Sequence, residues 1–158
     1  MFYRLLPVGH VLGGMLMFFS ITYLMPIAGS LIYDDGTLIN FIDAMSISLA
    51  AGFVLWFGTR RHKRELKPRD GFLLVTLAWI LMAAIATLPL LLVIDGLSFT
   101  DAFFETLSGL TTTGATTLTG LEKLPPSVNI WRHELNWLGG MGIIVLAVAI
   151  LPLLGVGG

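Results

Sequence analysis

Residues 111–117 read TTTGATT, a polar stretch that lies between two long apolar segments. Threonine hydroxyls and backbone carbonyls are neutral oxygen ligands for a cation, and rings of backbone carbonyls replace an ion's water shell in selective pores. Gly114 allows a backbone conformation that residues with a Cβ atom resist, while the β-branched threonines favour extended backbone. By composition alone, the pattern predicts a cation-coordinating strand or a surface loop between helices with equal weight.

Two carboxylates precede this stretch, because Asp101 and Glu105 are four residues apart and would share one face of a helix. Paired carboxylates can perform acid–base catalysis. We interpret them instead as favouring cations at an outer pore mouth and the N-terminus of a short helix. The segment HELNW (133–137) has a tryptophan where a zinc-binding H-E-x-x-H motif needs its second histidine. With no cysteine, P-loop or Rossmann fingerprint, the chain is not predicted to be an enzyme.

The composition predicts an all-α integral membrane protein. Of the 158 residues, 56% are hydrophobic and 12% are charged, and the net charge of −1 gives no reason to expect nucleic-acid binding. A helix needs about 20 mostly apolar residues to cross a bilayer. The first candidate ends before Pro26, and it is too long for the apolar region of a signal peptide. Four transmembrane helices are therefore predicted, over residues 5–25, 38–58, 72–94 and 135–154.

The placement of positive charge predicts the orientation. Residues 60–69, RRHKRELKPR, contain six of the nine lysines and arginines. Short loops rich in these residues stay in the cytoplasm, so the N-terminus is expected there too. The turn with Asp34 and Asp35 and the region 95–134 are then expected outside.

A short helix is predicted over residues 98–110, SFTDAFFETLSGL. Ser98 with Asp101 three positions later fits a capping box, and apolar residues recur at helical spacing. About 12 residues span roughly 18 Å, less than the roughly 30 Å of a hydrocarbon core. The order of span, short helix, polar strand and span favours a re-entrant pore helix and filter loop, with the filter at 111–116. The C-terminus of the helix, the negative end of its dipole, would face the cation.

At this point the sequence resembles a known family. DAFFETLSGLTTTGATTLTGLEKLP (101–125) and WLGGMGIIVLAVAILPLLGVGG (137–158) are similar to the TrkH/TrkG family of bacterial potassium-uptake proteins, and RELKPRDGFLLV (64–75) resembles the junction before that family's first pore unit. The resemblance implies four membrane–pore–membrane units around one ion path, with two extra helices ahead of the first. It divides this chain into two leading helices (1–59), a cytoplasmic basic loop (60–70) and the first pore unit (71–158).

The resemblance also implies how the site works. Potassium would be coordinated by the backbone carbonyls of Thr112 and Thr113, with Thr111 and Gly114 alongside, and K+ would be the transported ion without any organic cofactor. It further implies a bacterial inner-membrane location in the lipid bilayer, homodimers of the full-length protein, and a cytoplasmic nucleotide-binding regulatory subunit. Because only one pore unit is present, an N-terminal fragment is expected. The alternatives are a non-conducting accessory subunit and a homotetrameric short cation channel.

Several single residues have both a functional and a plainer interpretation. His10 could relay protons, but a packed or interface histidine is the favoured interpretation. Asp43 is near the outer end of its span, where it could simply reach water. LGGMGII (138–144) is predicted to pack closely against another helix rather than to act as a hinge. Trp131 and Trp137 suit the outer membrane interface.

Overall fold

The structure, a computed structural model, describes residues 2–62 and 64–150. Within these ranges every regular element is helical. Short 3-10 turns occur at Ile21–Tyr23, Arg60–His62 and Leu121–Lys123. The α-helices are α1 (Phe2–Ser20), α2 (Leu24–Tyr33), α3 (Leu38–Gly58), α4 (Pro68–Val93), α5 (Phe99–Leu110) and α6 (Pro126–Ile150).

Three helical segments of the described residues are long and apolar enough to cross a membrane: Leu5–Tyr33, Leu38–Gly58 and Pro68–Val93. The first corrects the prediction that this span ends before Pro26, because helix α2 continues through that residue. Pro26 lies in the first turn of α2. The N–H groups of that turn have no partner within the helix, so the missing N–H of proline costs α2 no hydrogen bond.

Helix α6 begins well before the predicted start of the fourth span at residue 135. It starts at Pro126, a position that suits proline because its N–H would have no partner inside the helix. The predicted end of that span, at 151–154, falls outside the described residues. The region 95–134, predicted to lie outside the membrane, therefore contains α5 and the first two turns of α6.

Glycines bring α1 and α3 into backbone contact. A Cβ atom on Gly13 would lie 2.5 Å from the Trp56 backbone nitrogen, and one on Gly52 would lie 2.8 Å from the Met17 nitrogen. Small residues allow such close approach between membrane helices. Beside this contact, Nδ1 of His10 is 3.0 Å from the Trp56 carbonyl oxygen and the two rings are stacked. His10 is therefore packed against α3.

The centre of the core is a stacked pair of aromatic rings. Tyr23 and Trp131 have ring centroids 4.4 Å apart, and both side chains are fully buried. The Trp131 indole donates a hydrogen bond to the Ala86 carbonyl at 3.0 Å. The prediction that Trp131 lies at the membrane interface is therefore wrong, because its ring fills the space between helices and its N–H has a partner there. Trp137 is exposed.

Pro89 explains why the Ile85 carbonyl accepts a hydrogen bond from outside its own helix. It cannot donate to the carbonyl four residues earlier, that of Ile85. The Tyr23 hydroxyl donates to that oxygen at 3.2 Å and accepts a hydrogen bond from Ser48 at 3.1 Å. Helix α4 therefore stays continuous through Pro89, with its free carbonyl satisfied by a residue of the leading helices.

Asp35 connects the leading helices to the start of α6. Its carboxylate accepts hydrogen bonds from the Ser127 backbone N–H at 3.0 Å, the Ser30 hydroxyl at 2.7 Å and the Thr37 hydroxyl at 2.8 Å. Burial by itself raises the pKa of Asp35, but these hydrogen bonds outweigh burial and hold the pKa below its ordinary value. An anion at a helix N-terminus is also favoured by the helix dipole. This turn therefore fixes where α6 begins.

Candidate ion-coordination site

Helix α5 starts where the sequence predicts. The Asp101 backbone N–H donates to the Ser98 hydroxyl at 3.1 Å, and that hydroxyl donates to the Asp101 carboxylate at 2.8 Å. Such a cap satisfies one of the free N–H groups at a helix start. The rest of the helix is anchored by the Thr106 hydroxyl, which donates to the Ala83 carbonyl of α4 at 2.7 Å. Asp101 remains exposed at the first turn.

The end of α5 packs tightly against α6. A Cβ atom on Gly139 would lie 2.9 Å from Leu110 Cα, and one on Gly142 would lie 2.8 Å from Cη2 of Trp79. A Cβ on Gly109 would be 3.1 Å from the Leu135 Cβ. The prediction that the segment 138–144 serves close packing is confirmed at Gly139 and Gly142. The contacts of Gly109 and Gly139 set where the last turn of α5 lies, whereas Gly142 packs α6 against Trp79 of α4.

The threonines close that last turn. The backbone N–H groups of Thr111, Thr112 and Thr113 donate to the carbonyls of Leu107, Gly109 and Ser108, each at 2.9 Å. The bonds from Thr112 and Thr113 form a Schellman motif, in which the residue after the cap is usually glycine in the left-handed conformation. Here that residue is Thr112, with φ +57°.

The conformation of Thr112 corrects one prediction. The β-branched threonines were expected to favour extended backbone, but Thr112 is left-handed, which is rare for such a side chain. The capping bonds of the helix end outweigh the local preference. Gly114 has φ +72° and nothing within 4 Å of where a Cβ would be. The predicted need for glycine at this position is confirmed.

After Gly114 the chain returns alongside α5. The Ser108 hydroxyl donates to the Ala115 carbonyl at 2.7 Å. Further along, Oε1 of Glu105 accepts the Thr117 N–H at 2.6 Å and the Leu118 N–H at 3.3 Å. The Thr116 hydroxyl donates to the same oxygen. Two side chains of α5, Ser108 and Glu105, therefore hold the loop against the helix that precedes it.

Glu105 lies beneath the loop rather than at an exposed mouth. Its side chain is 3% exposed, and its Oε2 is 3.4 Å from both Nε and Nη2 of Arg132. Asp101, its predicted companion, is exposed one turn earlier, so the structure does not bring the two carboxylates together on one surface. The sequence contained a signal for this burial, because Glu105 follows Ala102 by three residues and so lies on the same apolar face of the helix. A charged residue on a buried face needs a partner.

The segment 111–114 presents free carbonyl oxygens. All four residues are exposed. Among the described residues, no donor is hydrogen-bonded to the carbonyl of Thr111, Thr112, Thr113 or Gly114. Neutral oxygens of this kind suit a dehydrated monovalent cation, and one such segment can form only part of a coordination shell. The structure therefore brings the predicted ligands together on one exposed turn.

Known proteins are similar to this chain in sequence. The family model for TrkH, described as a cation transport protein, matches residues 37–158. The Trk system potassium uptake protein TrkH of Vibrio parahaemolyticus is 50% identical over 94% of this chain, and that of Escherichia coli K12 is 49% identical over 94%. TrkG of Escherichia coli K12 is 40% identical over 96% of this chain. Each alignment covers 31% of the relative, so the chain spans about a third of the length of the proteins it matches.

A crystal structure matches the whole fold. The potassium transporter TrkH from Vibrio parahaemolyticus superposes with a TM-score of 0.87 at 47% identity, covering 100% of this chain and 33% of that one. The likeness includes the helices on both sides of the segment 111–114.

Proposed function

The chain belongs to the TrkH family of cation transport proteins, and we propose that it contributes one quarter of a carbonyl-lined filter through which potassium enters a bacterial cell. The carbonyls of Thr112 and Thr113 are the principal ligands, and those of Thr111 and Gly114 lie alongside. The observation that supports this most strongly is the exposed turn 111–114, whose carbonyls receive no hydrogen bond from any residue the structure describes.

The proposed ion is K+, and the site holds it without an organic cofactor. Backbone carbonyls carry partial charges and replace a hydration shell without a full negative charge. In the proposed arrangement the buried charge of Glu105 is compensated by Arg132, so the ligands at the ion itself are neutral. Asp101, exposed near the start of α5, adds negative potential at the outer mouth.

The proposed membrane arrangement has four spans and one re-entrant helix. The two leading helices occupy 1–59, the basic loop 60–70 faces the cytoplasm, and 71–158 is the first pore unit, with its fourth span at 135–154. Helix α5, at 12 residues, extends roughly 18 Å and is too short to cross a bilayer. The N-terminus is cytoplasmic because six of nine basic residues lie in the loop at 60–69.

The full protein is proposed to supply the rest of the filter. The relatives are about three times as long as this chain, which leaves length for three further pore units. Their names and lengths favour neither a non-conducting accessory subunit nor a homotetrameric short channel. A homodimer in the inner membrane and a cytoplasmic nucleotide-binding regulatory subunit are proposed from the family resemblance alone.

Two glycine substitutions test the filter assignment in the complete protein. Gly114→Asp places a charged side chain next to the proposed ligands, so rubidium uptake into vesicles and the preference for potassium over sodium should both change. Gly96→Asp is the matched control, because Gly96 also has a positive φ, +76°, and open space around it. Unchanged flux and selectivity in Gly114→Asp would show that the segment is not part of the ion path.

A further inference from the structure

A small polar cavity lies between the loop that follows α5 and the helices behind it. Its volume is about 20 Å³. A cavity needs roughly 10–15 Å³ to hold one water molecule. The cavity is lined by Glu105, Ser108, Arg132 and Asn136 and by Gly114 and Ala115 of the loop.

The charges around the cavity favour a neutral occupant. Glu105 and Arg132 form an ion pair, so the lining has no uncompensated charge that would select a cation or an anion. The volume suits one water molecule and is well below that of an organic ligand. Water also needs two to four polar partners, which an apolar cavity of this size would not supply.

Several groups at the cavity have unused hydrogen-bonding capacity. Asn136 donates through Nδ2 to the Arg132 carbonyl at 3.1 Å, whereas its Oδ1 accepts no hydrogen bond from the described residues. The two Arg132–Glu105 bonds are 3.4 Å long, against roughly 2.7–2.9 Å for a close charge-assisted bond. The Ala115 backbone N–H has no acceptor within the part of the chain that the structure describes. Donors and acceptors for a bridging molecule are therefore present together.

We propose that this cavity binds one ordered water molecule, which links Asn136 and the Glu105–Arg132 pair to the loop backbone at Gly114 and Ala115. Asn136 is then a positioning residue, since it acts on the segment 111–114 through the water and does not touch the ion. Only the effect on ion selectivity rests on the proposed function. The water itself is a property of the fold.

The direct test is a structure of the complete protein at a resolution that shows ordered water. We expect a water peak within hydrogen-bonding distance of the Asn136 amide oxygen in the natural protein. Asn136→Leu keeps a similar size but cannot bond water, so the peak should be lost. Asn40→Leu, the same substitution on α3, should keep it. A cavity without a peak in a map that resolves other buried waters would overturn the proposal, as would a peak that persists in Asn136→Leu.

The positioning role has a separate readout. Hydrogen exchange over residues 111–118 should be faster in Asn136→Leu by roughly fivefold, the factor for one hydrogen bond. The potassium-over-sodium flux ratio should fall by a similar factor. Asn136→Ser, which keeps a polar group and leaves room for water, should restore most of both. Exchange and selectivity unchanged in Asn136→Leu would overturn the positioning role.

The two proposals fail in different ways. If the natural protein shows no preference for potassium but the water peak is present and depends on Asn136, the proposed function is wrong and the water site is right. If potassium selectivity is strong but the water peak is missing, the proposed water site is wrong and the proposed function stands.

Discussion

Glu105 and Arg132 join two helices and a loop at a single buried point. Glu105 lies on α5 and Arg132 on α6, 27 residues later, and the same carboxylate also accepts the backbone N–H groups of Thr117 and Leu118. One oxygen serves the loop and the other serves the arginine. Glu105 therefore couples the position of the loop to that of α6.

Removal of the Glu105 side chain should strongly destabilise the folded state. Glu105→Ala leaves the largely buried Arg132 side chain, 14% exposed, without its charge partner and the loop N–H groups without an acceptor. Breaking one partner of a buried pair typically costs about 3–5 kcal/mol. We expect a large fall in the thermal unfolding midpoint in detergent micelles, with faster hydrogen exchange at 116–118.

Glu134 provides a matched control for this prediction. It is a second buried glutamate, and no hydrogen bond to its Oε2 is present among the described residues. Glu134→Gln should therefore be tolerated, whereas Glu105→Gln should still weaken the pair with Arg132. Equal losses from the two glutamine variants would contradict the special position of Glu105.

Replacement of the left-handed Thr112 by glycine should stabilise the folded state. A residue with a Cβ in this conformation costs about 1–2 kcal/mol, partly offset because glycine gains entropy in the unfolded chain. Thr112→Gly should therefore raise the unfolding midpoint slightly, while Thr113→Gly, at a residue without a positive φ, should lower it. If both variants were destabilised to the same extent, Thr112 would not be strained.

A double-mutant cycle tests the bond at Pro89. Tyr23→Phe removes the hydroxyl that donates to the part-buried Ile85 carbonyl and accepts from Ser48. Leaving such a group without its partner costs about 1–3 kcal/mol. Pro89→Ala restores the backbone N–H that can reach the same carbonyl. Tyr23→Phe should therefore cost less in the Pro89→Ala background, as measured by thermal unfolding. Strictly additive effects would mean that the two residues do not share this acceptor.

Local features of the fold could be predicted from the sequence, but long-range pairs could not. The cap Ser98–Asp101 and the glycine at 114 depend on neighbours in the chain, so residue types and spacing were enough. The bonds Glu105–Arg132, Asp35–Ser127 and Trp131–Ala86 join residues separated by 27, 92 and 45 positions. Nothing in a single sequence indicates which polar side chains will meet at such distances.

Thr112 and Trp131 show two other limits. The β-branched side chain favours extended backbone, but the bonds that end α5 impose a left-handed conformation. Tryptophan is common at membrane interfaces, but Trp131 is fully buried because its ring stacks on Tyr23 and its N–H has an acceptor. At Thr112 the bonds that cap α5 outweigh a statistical preference, and at Trp131 tertiary packing does so.

The stability of the fold should depend on pH through Asp35. Its pKa is lowered in the folded state, so it adds stability at pH values above its unfolded pKa of about 3.9. That stability is lost as the pH falls below this value towards the folded pKa. Asp35→Asn should lower the unfolding midpoint at neutral pH, and the difference from the natural protein should shrink below about pH 4.

Asp34 is the control for that experiment. It neighbours Asp35 but is exposed, and its φ of 50° suits asparagine. Asp34→Asn should leave the unfolding midpoint nearly unchanged at every pH. A pH-independent difference between Asp35→Asn and the natural protein would show that the carboxylate is not the stabilising group.

The most direct measurement of the central claim is the position of an ion in the complete protein. Crystals or particles prepared with rubidium or thallium would be examined for anomalous or excess density at the turn 111–114. We predict an ion within coordination distance of the Thr112 and Thr113 carbonyl oxygens. Ion density along the path at other positions, with none beside these carbonyls, would contradict the assignment of this turn as a filter segment.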